Sequence, residues 1–287
     1  MSGVDVIIPT YNRGQVLKDS LPTYWLQPET SRIFVVDDAS TDGTEEIVAE
    51  IRKKSPVPVL YHRFSDNCNQ QRSKNFGIEN SSAPLLFIGE DDVFLPKDHF
   101  KFLLSVMNET GADIVAGRRV YIKDSQSQEN ALKESSLDKD GIFTRIPFEA
   151  YFERYFEGDL EVPYLHSNAL IKRETFSEVR YDPSYKGNAF REELDFYLGC
   201  LRNGKKMVAT SRTVCFHLKS PRKKGSGSQI RRLRYEYYVW VNTLKCFSKN
   251  VDVFKSKFNM KIPILYAILG LLARYPYALW KRIKRRS

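Results

Sequence analysis

Three short apolar runs near the start of the chain each stop on a polar or acidic cluster, and this pattern constrains the fold more than any other feature. Val4-Asp5-Val6-Ile7-Ile8 ends on Pro9-Thr10-Tyr11, Ile33-Phe34-Val35-Val36 on Asp37-Asp38, and Leu85-Leu86-Phe87-Ile88 on Gly89-Glu90-Asp91-Asp92. Runs this short and apolar suit strands buried on both faces. Helix-patterned stretches lie between them. Arg13 to about Leu26 places Leu17, Leu21 and Tyr24 on one face, with Pro22 interrupting it. A second helix passes through Ile47, Val48 and Ile51, with Glu45 and Glu46 in its first turn, and Arg72–Asn80 is a third. Val57–His62 and Ile114–Ala116 read as further strands and Phe100–Met107 as a helix. The alternation predicts an α/β fold, a Rossmann-like, mainly parallel central sheet with helices on both faces. Ligands of such sheets bind beyond the carboxyl ends of the strands, where the polar clusters stand.

The first strand is not followed by Gly-x-Gly-x-x-Gly, and no Gly-Lys-Ser/Thr phosphate loop occurs. This argues against a standard dinucleotide domain and a P-loop enzyme. Glu90-Asp91-Asp92 crowds three carboxylates that stay charged cheaply only beside a cation. Their hard oxygens suit Mg²⁺ or Mn²⁺ holding a diphosphate; the alternative is a solvated acidic loop. Asp37-Asp38 suits a base or ribose, or the cap of the next helix. Arg191-Glu192-Glu193-Leu194-Asp195 gathers acids at a helix start, where they answer the helix dipole or supply a general base. His217, beside Phe216, is a metal ligand or a structural histidine.

Lys123–Asp140 lacks helix-period apolar spacing and reads as a long loop. Tyr164–Ile171 reads as a strand, Arg173–Val179 as a short helix and Arg191–Arg202 as an amphipathic helix closed by Asn203-Gly204. Met207–Ala209 and Arg212–His217 read as two strands, followed by a basic Gly/Ser loop at Pro221–Ser228. In Arg231–Phe247, Tyr235, Tyr238, Val239, Asn242 and Cys246 recur at helical spacing, a packing stripe.

The net charge of +10 suggests a polyanion partner until it is divided. Residues 1–200 carry 23 Lys/Arg against 33 Asp/Glu, and residues 201–287 carry 22 against 2. Ile262 to Ala273 is almost wholly apolar, but Arg274 and Pro276 interrupt it before Trp280 and five basic residues at 281–286. An apolar run this short, with an Arg and a helix-breaking Pro, reads as an interfacial segment on an anionic membrane rather than a span. The alternative is a core helix with a solvated basic end. Met1-Ser2-Gly3 passes directly into the first strand without a leader-like segment. Cys68, Cys200, Cys215 and Cys246 have no metal-ligand spacing and read as free thiols of a reducing compartment.

Taken together, these residues resemble the family-2 glycosyltransferases of GT-A fold. The likeness is carried by Val6-Ile7-Ile8-Pro9-Thr10-Tyr11-Asn12-Arg13, Val35-Val36-Asp37-Asp38-Ala39-Ser40-Thr41-Asp42-Gly43-Thr44, and Ser73-Lys74-Asn75-Phe76-Gly77-Ile78. It continues through Leu86-Phe87-Ile88-Gly89-Glu90-Asp91-Asp92 and Glu192-Glu193 with Asp195 and Gly204-Lys205-Lys206. It is good from about residue 4 to 120, thinner from 160 to 220 and poor after 250.

The resemblance implies a nucleotide-sugar site lined by Pro9, Thr10, Tyr11 and Arg13. Asp38 would read the base with Lys74 near it, and Asp91 would approach the ribose. Asp92 would bind the divalent metal, Mn²⁺ or Mg²⁺, with His217 as a second ligand. Glu193, or its neighbour Glu192, would be the base. Gly89 stands where the family often has a first Asp, and Gly199 where many relatives have Arg. The implied activity is metal-dependent, inverting transfer of a hexose-type sugar from a UDP- or GDP-linked donor to a hydroxyl or phosphate of a glycan or lipid-linked acceptor. Residues 1–220 would form the GT-A domain, nucleotide-binding to about 120 and acceptor-facing beyond. Residues 221–287 would form a C-terminal helical extension, with the basic loop at 221–228 closing over the phosphates. The expected location is cytoplasmic, peripheral on the membrane's inner face. Two other readings are a sugar nucleotidyltransferase, which would need a Gly-rich basic loop after the first strand, and a nucleic-acid binder, which the charge split disfavours.

Overall fold

The computed structural model describes residues 3–123, 126–135, 143–144, 148–219 and 232–284, with the backbone alone at 144, 232 and from 274 onward. The first half runs β1 (Val4–Thr10), α1 (Gly14–Trp25), β2 (Thr30–Asp37), α2 (Thr44–Arg52), β3 (Val59–Arg63), α3 (Gln70–Asn80), β4 (Leu85–Ile88), β5 (Val93–Phe94), α4 (His99–Thr110) and β6 (Ile114–Ile122). Then follow α5 (Gln128–Ser135), β7 (Phe143–Thr144), β8 (Glu149–Ala150), β9 (Asp159–Glu161), β10 (Ala169–Lys172), α6 (Thr175–Glu178), α7 (Glu192–Arg202) and β11 (Met207–Leu218). Three helices end the chain: α8 (Arg232–Lys249), α9 (Val251–Phe258) and α10 (Pro263–Lys284).

The main sheet has the order β3-β2-β1-β4-β10-β6-β11-β5, with β9 also paired to β11. β1 lies parallel between β2 and β4, Val6 opposite Ile33 on one side and Phe87 on the other. β10 is antiparallel to both β4 and β6, and β5 and β9 are antiparallel to β11. The sheet is therefore mainly parallel, as the alternation predicts. Alternate side chains of one strand supply two cores. Ile7, Phe34, Leu86 and Ile88 join one cluster, while Val6, Ile8, Val35 and Phe87 join another. Full burial of each such side chain stabilises by roughly 2 kcal/mol. Asp5, the one acid in β1, is buried but answered by Arg32 at 2.5 and 3.1 Å and by Ser81 at 2.7 Å. α3 rests directly on β1, since a Cβ at Gly77 would lie 2.5 Å from Ile7 Cγ2.

Five local expectations need correction. Pro22 lies inside α1 without ending it. The carbonyl it leaves without its usual helical partner belongs to exposed Lys18, within reach of water. α5 forms within the stretch read as a loop, because buried Ala131 packs against Val120, Ile122 and Phe216. Of the expected Tyr164–Ile171 strand only Ala169–Ile171 pairs, extended by Lys172, and the two strands expected in 207–217 are one, with a register shift between Thr210 and Val214. α10 continues through Pro276. The loop at 221–228 lies outside the described residues.

The C-terminal helices join the main core: Cys246, Phe247, Phe254, Met260 and Ala267 share a cluster with Ile7 and Phe34. Val239, Asn242 and Cys246 are buried on α8, as the packing stripe predicts. Among the described residues no single helix is long and apolar enough to cross a membrane. α9 and Pro263–Ala273 reach that length only as a pair bent by 89°.

Candidate functional site

The polar ends of β1, β2 and β4 meet above the sheet. After β1, Asn12 takes a left-handed backbone with φ of 52°. Its N–H donates to Ser40 Oγ at 2.7 Å, and its side-chain oxygen accepts the Thr41 N–H at 2.7 Å. This clamps the first strand-end loop to the second. Asp37 is structural, accepting the Tyr61 hydroxyl at 2.6 Å and the Ser40 N–H at 2.8 Å. Asp38 holds a third loop, accepting the N–H groups of Cys68 and Asn69 at 2.7 and 2.8 Å. Burial raises its pKa, opposed by those two N–H groups. Arg72 also lowers it, so the cation acting on Asp38 is Arg72.

Lys74, expected beside Asp38, is instead buried under the second acid cluster. Its ammonium lies 2.6 Å from Glu192 and 3.4 Å from Glu193, and 4.7 Å from the centre of the Tyr181 ring. The reason is direction: α3 turns this residue inward, leaving 1% of its side chain exposed, where only another buried charge can answer it. Gln70 donates to the same Glu192 oxygen at 2.8 Å. Burial pulls the Lys74 pKa down, but Glu192 and Glu193 outweigh it and the net shift is upward. Burial pushes the Glu192 carboxyl up, with Lys74 opposing. Glu193 is different, with 29% of its side chain exposed.

Glu193 faces a cavity of about 460 Å³ lined also by Glu192, Gln70, Arg119, Tyr164, His166 and Arg191. Arg119 links this cavity to the acids after β4, reaching Glu90 at 3.5 Å and Ser167 at 3.2 Å. Glu90 also accepts Ser167 Oγ at 2.6 Å and Asn168 Nδ2 at 2.7 Å. Burial opposes its charge, yet Arg119 and His217 hold its pKa well below the carboxylate range.

Asp91 and Asp92 share one cation. Arg13 Nη1 lies 2.8 Å from Asp91 and 2.5 Å from Asp92, and the Thr10 hydroxyl donates to Asp91 at 2.8 Å. Burial raises the Asp91 pKa against the pull of Arg13. Burial also acts to raise Asp92, but His217 and Arg13 lower it overall. β5 brings His217 here by pairing with β11, His217 opposite Val93. His217 Nε2 stands 3.2 Å from Asp92 Oδ1.

Glu90, Asp92 and His217 each offer a ligand atom, all within 4.8 Å of one another. Two hard oxygens and a ring nitrogen fit Mn²⁺ or Mg²⁺. Thus Pro9, Thr10, Tyr11, Arg13, Asp38, Asp91, Asp92 and His217 stand at or beside the strand ends, and Lys74 stands apart. Glu90, one of the three carboxylates whose crowding suggests a cation, takes the third ligand position, whereas Arg119 and Arg72 were not expected. The Arg118-Arg119 pair inside the apolar strand at 114–122 is the signal that points to Arg119. The departure at Gly89 also has a cause: a Cβ there would lie 2.9 Å from the Tyr24 ring.

Known proteins resemble the chain in sequence and in fold. Residues 5–180 match the family described as glycosyl transferase family 2. An abequosyltransferase of Salmonella typhimurium is 24% identical over 93% of this chain and 83% of its own length. An uncharacterized glycosyltransferase of Escherichia coli is 31% identical over 40% of this chain and 29% of its own. Among solved structures, Staphylococcus aureus TarS 1-349 in complex with UDP-GlcNAc superposes with a TM-score of 0.62 at 14% identity, covering 88% of this chain and 73% of that one. A Pyrobaculum calidifontis mannosyltransferase in complex with GDP-Man and Mn²⁺ gives 0.60 at 19%, covering 96% and 71%.

Proposed function

The chain belongs to glycosyl transferase family 2, with a GT-A fold, and from that premise we propose a metal-dependent, inverting transfer of a sugar from a UDP- or GDP-linked donor. One observation carries the reading. Glu90, Asp92 and His217 converge within 4.8 Å, and Arg119 joins them to the cavity that Glu193 faces.

Asp92 and His217, with Glu90, would hold Mn²⁺ or Mg²⁺, which when bound supplies positive charge to the departing diphosphate. Arg13 keeps Asp91 and Asp92 charged side by side, leaving Asp91 to face the ribose. Asp38 faces the base, with Arg72 rather than Lys74 as its cationic neighbour. Glu193 takes the proton of the acceptor hydroxyl. The acceptor oxygen bonds to the anomeric carbon from the face opposite the diphosphate, the bond to the diphosphate breaks, and the centre inverts. Lys74 and Glu192 are positioning residues that fix the start of α7 and so aim Glu193. The acceptor is a hydroxyl or phosphate of a glycan or a lipid-linked glycan; relatives named poly(ribitol-phosphate) beta-glucosyltransferase and beta-N-acetylglucosaminyltransferase support a polymer acceptor. Four free thiols suit a cytoplasmic, reducing setting.

The test is a pair of variants. Glu193→Gln is expected to lower kcat by about 10²–10⁴-fold with donor Kd nearly unchanged. Glu192→Gln is expected to keep measurable turnover. The reverse outcome would move the base to Glu192.

A further inference from the structure

Helices α8 and α10 each carry two apolar faces. The inner faces are used, with Val239, Thr243 and Phe247 of α8 meeting Tyr266, Ala267 and Leu271 of α10 around a narrow cleft. The outer faces are bare. On α8, Leu233, Tyr237 and Val241 stand one turn apart and are 87%, 61% and 42% exposed. At the start of α10, Ile262, Leu265, Leu269 and Leu272 are 58%, 45%, 43% and 55% exposed. By helical spacing the α10 set lies opposite its inner residues and the α8 set about a third of a turn from its own. Seven of the ten large apolar side chains exposed among the described residues thus fall in this one stretch. A surface helix ordinarily turns charge outward, and such a concentration marks an interaction surface.

Charge identifies the occupant. Exposed Lys255, Lys257 and Lys261 flank the start of α10. Arg234, next to Leu233, lines a cavity of about 560 Å³ together with Arg72 and Lys186. Residues 201–287 carry a net charge of +20. A second copy would bring the same positive charge to this face and be repelled, whereas an anionic surface is attracted. The bent pair α9–α10 is not free to insert. Asp252 of α9 is held by Arg202 at 2.7 and 2.8 Å, and Phe254 stacks on Phe247 at 4.1 Å. We propose that the outer faces of α8 and α10 dock the protein on an anionic phospholipid bilayer. The apolar side chains enter the headgroup boundary and the lysines meet lipid phosphates.

This binding is read without any transfer assay, so it stands or falls separately from the proposed activity. The full chain is sedimented with phosphatidylcholine vesicles with and without phosphatidylglycerol. Binding is expected to the anionic vesicles only, weakening as salt rises. Leu265→Asp with Leu269→Asp, and separately Leu233→Asp with Val241→Asp, are each expected to weaken partitioning at least about tenfold. Their Tm should stay near that of the parent, because the replaced side chains lie outside the core. The proposal is overturned if the parent stays in the supernatant with both vesicle types, or if both double variants sediment as the parent does. Light scattering that shows a parent dimer which the variants abolish would overturn it too, by making a second copy the occupant.

Discussion

At Glu192 and Glu193 two adjacent carboxylates line one cavity but differ in exposure. Glu192 is held against Lys74 with 1% of its side chain exposed, while Glu193 has 29% exposed. Breaking a buried pair leaves an uncompensated charge, so Lys74→Met is expected to cost about 3–5 kcal/mol in urea unfolding. Lys74→Met with Glu192→Leu is expected to regain most of that loss, since an apolar pair of similar size removes both charges. A second residue-scale prediction concerns acid. Burial holds the His99 imidazole down to about 3 from 6.5. The unfolded chain therefore takes up the proton first, so this contribution to stability is whole above about pH 6.5 and lost as pH falls toward 3. His99→Gln is expected to make unfolding free energy fall less steeply between about pH 6 and 4, by about 1.4 kcal/mol per pH unit. An unchanged slope would contradict it. Most single residues of the site were legible because they end apolar runs. The Lys74–Glu192 contact was not, since 118 residues separate the partners and the spacing of neither run encodes the inward turn of Lys74.

Elements place these residues by packing rather than by local sequence. The acid loop after β4 is held by α1, whose Tyr24 hydroxyl donates to the Glu90 carbonyl at 2.8 Å while its ring fills the space above Gly89. Tyr24→Phe is expected to cost about 1 kcal/mol and to weaken Mn²⁺ binding, read by the Mn²⁺ resonance signal. Unchanged stability and Mn²⁺ affinity would show that α1 does not hold the loop. The strands and helices of the first half were legible from period and from their polar stops. β5 was not, because two residues carry no period, and yet its pairing with β11 is what sets His217 beside Asp92. α5 was hidden for a related reason: one buried alanine anchors it, too little for a helical stripe.

Over the whole molecule, the opposed charges of the two chain segments correspond to different surfaces. The acidic first part supplies the strand-end site, and the basic last part supplies helices whose inner faces complete the core and whose outer faces remain apolar. The sequence pattern carried the α/β architecture and the acidity of the site. It did not show that α8 to α10 share the core of the sheet, because a helix that packs inward and one that lies on a membrane can have the same apolar spacing. In the proposed reaction a divalent metal held at Asp92 enables release of a nucleoside diphosphate from a nucleotide sugar. The direct measurement is product release from UDP- and GDP-sugars with Mn²⁺, for the parent chain and for Asp92→Ala with its fold checked by circular dichroism. Free nucleoside diphosphate is expected from the parent and none from Asp92→Ala or in excess chelator; pyrophosphate as the product, or full turnover without metal or Asp92, would rule out this role of the metal.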